Sequence, residues 1–396
     1  MVVPSFEFTR TPEIRFAPGI YNDLGRIIGE FGSTVLVVTG ESSLARAGKM
    51  DVLVKDFRNR SIDFFHLIVH GEPTPDLVDE AVSKFGKKQI DVVLSIGGGS
   101  AIDAGKAISA MLHKDSSVFD FLEGVGSGKE HDGVKVPFIA VPTTSGTGSE
   151  ATKNAVLSRV GAGGFKRSLR HDNLVPDVAV IDPELMLSCP PDITAVCGMD
   201  AFTQLLESYV STKSTPITDA LSLSGLVHIK DNLLQACMTG ANQIEVRAGM
   251  AYASLLSGIT LANAGLGIVH GFASSIGGLF HIPHGIVCGT LMGPANDVTI
   301  NAIKSGNEKS KLYLEKYAKV GALLSGCDPK DIDLCCKRLI ETIYEWTEKL
   351  EIPLLSDYGI RTSDIDRIIE ETGNKNNPVK LDREGMKEIL SRRILS

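Results

Sequence analysis

Between residues 6 and 182 short apolar, β-branched runs alternate with amphipathic stretches, and beyond Pro190-Pro191 that alternation stops. The runs at 34–39, 62–69, 90–96, 136–141 and 177–182 are strand-length and rich in Val and Ile. Gly40 closes the first, Glu72-Pro-Thr-Pro-Asp76 caps a helix over 76–85 after the second, and 101–111 is helical in composition after the third. Apolar strands separated by helices need cover on both faces, which predicts a doubly wound, mostly parallel sheet. From Ser188 onward helical periodicity dominates, over 216–236, 243–264, 309–324, 329–350, 363–371 and 382–393. A chain of 396 residues suits two domains. The expected division is an α/β domain over 1–187 and an all-α domain over 188–396.

Hydrophobic residues at 43% and charged residues at 22% supply an ordinary core, and a net charge of −8 argues against a nucleic-acid partner. No apolar run approaches the ~18 residues of a membrane span. The N-terminus, Met-Val-Val-Pro-Ser-Phe-Glu, is not a basic-then-apolar leader. These readings predict a cytoplasmic protein without a membrane partner. Seven scattered cysteines with no CxxC predict reduced thiols.

The segment from Gly267 to Pro294 is apolar and Gly-rich, yet it holds His270, His281 and His284 out of nine histidines. In such surroundings an imidazole must be neutral, hydrogen-bonded or metal-bound, so His270 and His284 are candidate ligands. Upstream, Gly198-Met-Asp200-Ala-Phe-Thr-Gln204 would project Asp200 and Gln204 from one helical face. A carboxylate, an amide oxygen and two imidazoles could close on a divalent cation. Each residue alone is as well explained by core packing or a solvated face; an Asp among apolar neighbours, however, requires a partner.

Phosphate chemistry is suggested in the first half. Ile96-Gly-Gly-Gly-Ser100-Ala-Ile-Asp103-Ala-Gly-Lys106 reads as strand, glycine turn and helix start, where backbone N–H groups can approach a diphosphate. Pro142-Thr-Thr-Ser-Gly-Thr-Gly-Ser-Glu150 ends the next strand at the edge where such sheets bind ligands. GxGxxG is absent.

Taken together, Gly97-Gly-Gly-Ser100 with Asp103 and Lys106, Pro142-Thr-Thr-Ser-Gly-Thr, Asp182-Pro-Glu-Leu, Gly198-Met-Asp200-Ala, His270-Gly and Pro283-His284-Gly resemble the iron-containing, or group III, alcohol dehydrogenase family over essentially the whole length. The resemblance implies a dehydroquinate synthase-like nucleotide-binding domain, a helical domain and a cleft between them. It also implies NAD or NADP, a divalent metal (Fe²⁺ typically, Zn²⁺ sometimes) held by one Asp and three His, a small alcohol or aldehyde as substrate, and a homo-oligomer. Carried over by position, Asp200, His270 and His284 are metal ligands, while Gly98, Gly99, Ser100, Asp103, Thr143, Thr144 and Thr147 contact the cofactor. Lys166 would approach the nicotinamide ribose, and Asp103, Lys166 and His281 are carried as catalytic. Lys153, Asn154, Leu261 and Ser274 fall near the substrate cleft; Lys153 would attract an anionic aldehyde, or simply be a surface lysine.

Three departures stand out. Gln204 occupies the place of a ligand His, which lowers the expected affinity for Fe²⁺ or Zn²⁺ and makes hard cations relatively more acceptable. Ser274 replaces a frequent second His, leaving His281 as the best candidate for a proton relay, or equally a packing residue before the Pro283 turn. Gly40 replaces an acid that holds the ribose in NAD-specific members, while Ser42 and Ser43 leave room for NADP and Glu41 opposes it. Other readings of the chain are a lyase or polyol dehydrogenase of the same architecture, a metal-free reductase of a charged short aldehyde, and a non-catalytic nucleotide-binding protein.

Overall fold

A computed structural model describes residues 5–41, 43–306 and 311–394. Among the described residues eight strands are found: β1 (Glu13–Phe16), β2 (Thr34–Gly40), β3 (Asp63–Val69), β4 (Val92–Gly97), β5 (Phe138–Pro142), β6 (Asn154–Arg159), β7 (Phe165–Arg170) and β8 (Val178–Ile181). Six form one sheet in the order β1-β8-β5-β4-β2-β3, all parallel. Its helices are α1 (Leu24–Gly29), α2 (Ser43–Arg46), α3 (Met50–Asn59), α4 (Pro75–Phe85) and α5 (Gly99–Met111).

Period-two alternation explains why the sheet is wound on both faces. Leu36 and Val38 of β2 pack with Val78 and Phe85 of α4 and Ile102 and Ile108 of α5. Val35 and Val37 point the other way, among Ile27 and Ile28 of α1 and Leu53 and Phe57 of α3. The chain runs outward from β2 to β3, then returns to β4 on the other side of β2. The crevice above β2 and β4 is thus the topological switch point, where helices splay to opposite faces and leave the carboxyl edge open.

The sequence reading omitted β1 and the antiparallel hairpin β6–β7, which pairs Asn154 with Arg170 and Arg159 with Phe165. Lys166, Arg167 and Ser168 had obscured β7 by breaking the apolar pattern. They line a cavity instead of entering a core, so the usual alternation is missing.

Beyond β8 the chain is helical: α6 (Pro191–Tyr209), α7 (Pro216–Cys237), α8 (Ile244–Ala264), α9 (Ile268–Leu279), α10 (His284–Lys304), α11 (Lys311–Ser325), α12 (Ile332–Lys349), α13 (Ile365–Glu371) and α14 (Arg383–Ser391). Helix α6 is buried without interruption from Gly198 to Tyr209, the signature of a central helix enclosed by its neighbours. Among the described residues no single helix is long and apolar enough to cross a membrane. The expectation of wholly reduced thiols is corrected at one place, since Cys327 and Cys335 are joined in a disulfide.

Two close contacts at glycines fix the halves of the site. A Cβ at Gly99 would lie 2.7 Å from Thr147 Cγ2, so the glycine turn and the Thr-rich loop are pressed together and only glycine fits. Gly148, at φ +62°, meets Gly258 of α8 backbone to backbone; a Cβ on Gly258 would be 2.1 Å from the Gly148 carbonyl oxygen.

Candidate active site

The carboxyl ends of β2, β4 and β5 lie side by side, with Thr39 level with Ile96 and Gly97 level with Pro142. Gly40 therefore packs against Gly97, and a Cβ on Gly98 would touch Thr144. Gly40, Gly98, Thr143 and Thr144 thus gather at the sheet edge, with Gly98 as N-cap of α5. Glu41 at this edge is bonded to His70 Nδ1 at 2.5 Å. Ser42 and the Ser43 side chain lie outside the described residues.

A cavity of about 830 Å³ extends from here into the cleft between sheet and helices. It is lined by Gly99, Ser100, Asp103, Thr147, Lys153, Asn154 and Lys166 from the first half. Gln204, Leu261, His270, Ser274 and His284 line it from the second. His281 is exposed and outside this lining, because α9 has ended at Leu279 and the chain has turned to the surface before α10 begins.

Three lysines shape the first-half wall, Lys153 and Lys166 in its lining and Lys106 behind it. Lys106 is fully buried and donates to Ser149 O, Thr152 O, Thr152 Oγ1 and Asn154 O at 2.7–2.9 Å, fastening the loop that leads into β6. Burial brings its ammonium down to about 8. Lys166 bonds Glu72, a residue absent from the sequence-based list. Burial opposes ionisation of Glu72, but Lys166 prevails and keeps its carboxyl below the ordinary value. Lys153 is held by Asp172 at 2.7 Å, so its charge is already compensated. Burial pushes Asp103 up to about 6.

At the helical end Asp200 is 1% exposed, His270 4% and Cys288 0%. His270 Nε2 lies 3.2 Å from Asp200 Oδ1, and His284 Nε2 lies 3.8 Å from the same oxygen. Glu207, one helical turn beyond Gln204 on α6, accepts at Oε2 from His270 Nδ1 at 2.7 Å and at Oε1 from Val269 N at 2.7 Å. That bond places the Nδ1 proton toward Glu207 and turns the Nε2 lone pair toward Asp200. A lone pair 3.2 Å from a buried carboxylate oxygen is tolerable only with a cation or a proton between them. Burial opposes ionisation of Asp200, yet the two imidazoles overcome it and hold its carboxyl at about 2. Burial lowers His284 to about 4, leaving it neutral and able to donate to a metal.

Six buried side-chain polar atoms have no hydrogen-bond partner among the described residues, and four belong to Asp103, Thr143, Asn154 and His284. Unmet polar atoms are costly, and their concentration on this cleft marks groups left for a ligand. The residues fit both implied groups: glycine turn and hydroxyls for a dinucleotide, and Asp200, His270 and His284 for a divalent cation. Gln204 lines the cavity beside His270 and His284, and its Oε1 lies 2.9 Å from Ser257 Oγ. Glu207 and Cys288 were missed by sequence reasoning, although each repeats a helical spacing, 200–204–207 and 284–288.

Comparison with known proteins agrees with this geometry. The family model described as iron-containing alcohol dehydrogenase matches residues 11–183, and that for the C-terminal part of the family matches 194–394. The chain is 32% identical to the NADPH-dependent butanol dehydrogenase of Clostridium saccharobutylicum, covering 97% of this chain and 96% of that one. It is 29% identical to the NAD-dependent methanol dehydrogenase of Bacillus methanolicus, over 91% and 92% of the two chains. The solved iron-containing alcohol dehydrogenase of Thermotoga maritima superposes with a TM-score of 0.83 at 26% identity, covering 98% and 99%. With both halves matched, and with the glycine turn facing an Asp–His–His cluster across one cleft, the chain belongs to the iron-containing alcohol dehydrogenase family of NAD(P)-dependent oxidoreductases.

Proposed function

We propose that the chain interconverts a short-chain alcohol and its aldehyde or ketone with NAD(P), using the cleft between the sheet edge and α6, α9 and α10. The observation that carries this reading is the continuous cavity with Gly99, Ser100 and Thr147 at one end and Gln204, His270 and His284 at the other. Bound there, the nicotinamide would supply or accept the hydride, and a divalent cation held by Asp200, His270 and His284 would polarise the substrate oxygen.

The chain's own residues orient and exclude. The Gly98–Gly99 turn offers free backbone N–H groups at the start of α5, where the helix dipole favours a diphosphate. Thr143 Oγ1, buried without a partner, is available to the same ligand. Lys166, fixed by Glu72, presents a positive charge where a ribose hydroxyl could accept from it. With His281 at the surface, the Lys166–Glu72 pair is the better placed proton-relay element because it lines the cavity. Leu261 and Ser274 bound the substrate end.

Ile14 and Phe16, 40% and 36% exposed on edge strand β1, support a homo-oligomer, since an apolar edge strand invites pairing with another copy. Composition and the absence of a membrane-length apolar run favour a cytoplasmic place for it.

The test is oxidation of NADH and NADPH by a panel of short aldehydes. Chelator-stripped protein is compared with protein re-supplied anaerobically with Fe²⁺, Zn²⁺, Mn²⁺ or Mg²⁺. Turnover restored by a metal supports the reading; undiminished turnover after stripping discards the role given to Asp200, His270 and His284.

A further inference from the structure

The metal cluster contains a fourth side chain that the family pattern does not provide. Cys288 Sγ lies 3.6 Å from His270 Nε2 and 3.7 Å from His284 Nε2. With Asp200 the four residues offer ligand atoms all within 4.8 Å of one another. A tetrahedral site with metal–ligand bonds of ~2.0–2.3 Å has donor–donor edges of about 3.3–3.8 Å. The separations of 3.2, 3.8, 3.6 and 3.7 Å around this cluster are close to those edges.

We propose that Cys288 is a metal ligand in this chain, so that the fourth protein donor has moved from position 204 on α6 to position 288 on α10. Three observations converge on this. Gln204, at the place of the family's His, has its Oε1 within 2.9 Å of the Ser257 hydroxyl. Cys288 stands one helical turn after His284, so one helix contributes two donors to the same side. Finally, the sulfur is completely buried and faces both ligand imidazoles, where a thiol finds only weak hydrogen bonds but a thiolate can bind a cation.

On binding, the Cys288 S–H bond breaks, its proton leaves to solvent, and the sulfur donates an electron pair to the cation. No oxidant or reductant takes part. A thiolate beside two imidazoles and one carboxylate shifts preference toward Zn²⁺ and other softer ions and away from Mg²⁺ and Mn²⁺. This reverses the preference for hard cations that Gln204 suggested in the sequence. The inference rests on the proposed metal site but makes a separate claim about one atom.

The experiment is cobalt substitution of the full chain, comparing wild type, Cys288→Ser, Asp200→Asn and the double variant Gln204→His with Cys288→Ser. Wild type is expected to show a near-ultraviolet sulfur-to-cobalt charge-transfer band above the visible ligand-field bands. Cys288→Ser should lose the charge-transfer band, keep folded-state far-ultraviolet dichroism, and bind Zn²⁺ more weakly by over about 100-fold, more than an outer-shell partner costs. The double variant should recover affinity without the band, because an imidazole then fills the vacancy. Identical spectra and affinities in wild type and Cys288→Ser, with ligand-field bands that disappear in Asp200→Asn, would overturn the role of Cys288 and leave the site standing. Failure of wild type to bind cobalt would overturn both.

Discussion

The two ends of the cleft have been treated differently. At the sheet edge, Gly97-Gly-Gly-Ser100 and Pro142-Thr-Thr-Ser-Gly-Thr keep the family's residues, and the structure shows why little else would do: Gly99 and Thr147 already touch. At the helical end Gln204 and Ser274 depart together on one cavity wall, and Cys288 joins the cluster beneath it. At the sheet edge the constraint is close packing, since a Cβ on Gly99 would lie 2.7 Å from Thr147 Cγ2. A cation is gripped by side chains, and any residue that brings a donor to the same point can serve. The first end is thus constrained by shape and the second by donor chemistry.

The sharpest break in that comparison is Asp200→Asn. It should lower kcat/KM by about 10³-fold or more while nucleotide binding persists, because the loss falls on the cation's several kcal/mol of charge stabilisation. Steady-state kinetics beside fluorescence titration of NADH and NADPH would decide; parallel losses of both would mean that the ends are not separable.

Next in size is a pH effect on the Thr-rich loop. Burial raises Glu150 to about 7, against an ordinary value of 4.5. The folded protein therefore binds this proton more tightly than the unfolded chain. The ionisation penalty is absent below the unfolded value, grows as pH rises between the two values, and is complete above about 7. Wild type should lose up to about 3 kcal/mol relative to Glu150→Gln across that window. Denaturant midpoints at stepped pH measure this, and a constant offset between the two proteins would show that Glu150 ionises normally.

Gly99→Val tests the shape-constrained end. A side chain there meets Thr147, an overpacking worth about 1–3 kcal/mol, so nucleotide Kd should rise about 10–100-fold with bound metal unchanged. Metal loss in this variant would contradict the division. The smallest expected effect is Ile14→Lys, which should shift the elution of the assembly toward a monomer and leave both ends intact. Unchanged size would remove β1 as the interface.

Much of this architecture is legible in the sequence because burial there is regular. The central parallel strands stand out as apolar runs, α7 as a helix buried along one stripe, and α8 as a long apolar segment buried on nearly every side. The hairpin β6–β7 escaped because one of its faces looks into a cavity, where polar Lys166 and Ser168 replace the apolar alternation. Of the site, motifs disclosed the residues that stand in short, recognisable strings, such as Gly98 and Gly99 in the glycine turn and Asp200, His270 and His284 in theirs. Cys288 and Glu207 were hidden because their meaning lies in contacts across helices: a buried Cys ordinarily reads as core, and a Glu on a helix as surface. His281, read in the sequence as a proton-path candidate, follows the end of α9 and is exposed outside the cavity lining, a placement set by the turn between α9 and α10.

The contact between Gly148 and Gly258 has a mechanical side. Backbone pressed on backbone offers no rotamer that can yield, so the sheet half and helix α8 cannot slide past one another at that point. A bulkier residue at position 258 would act as a wedge, altering the angle between the walls of the cleft while leaving the residues on each wall unchanged.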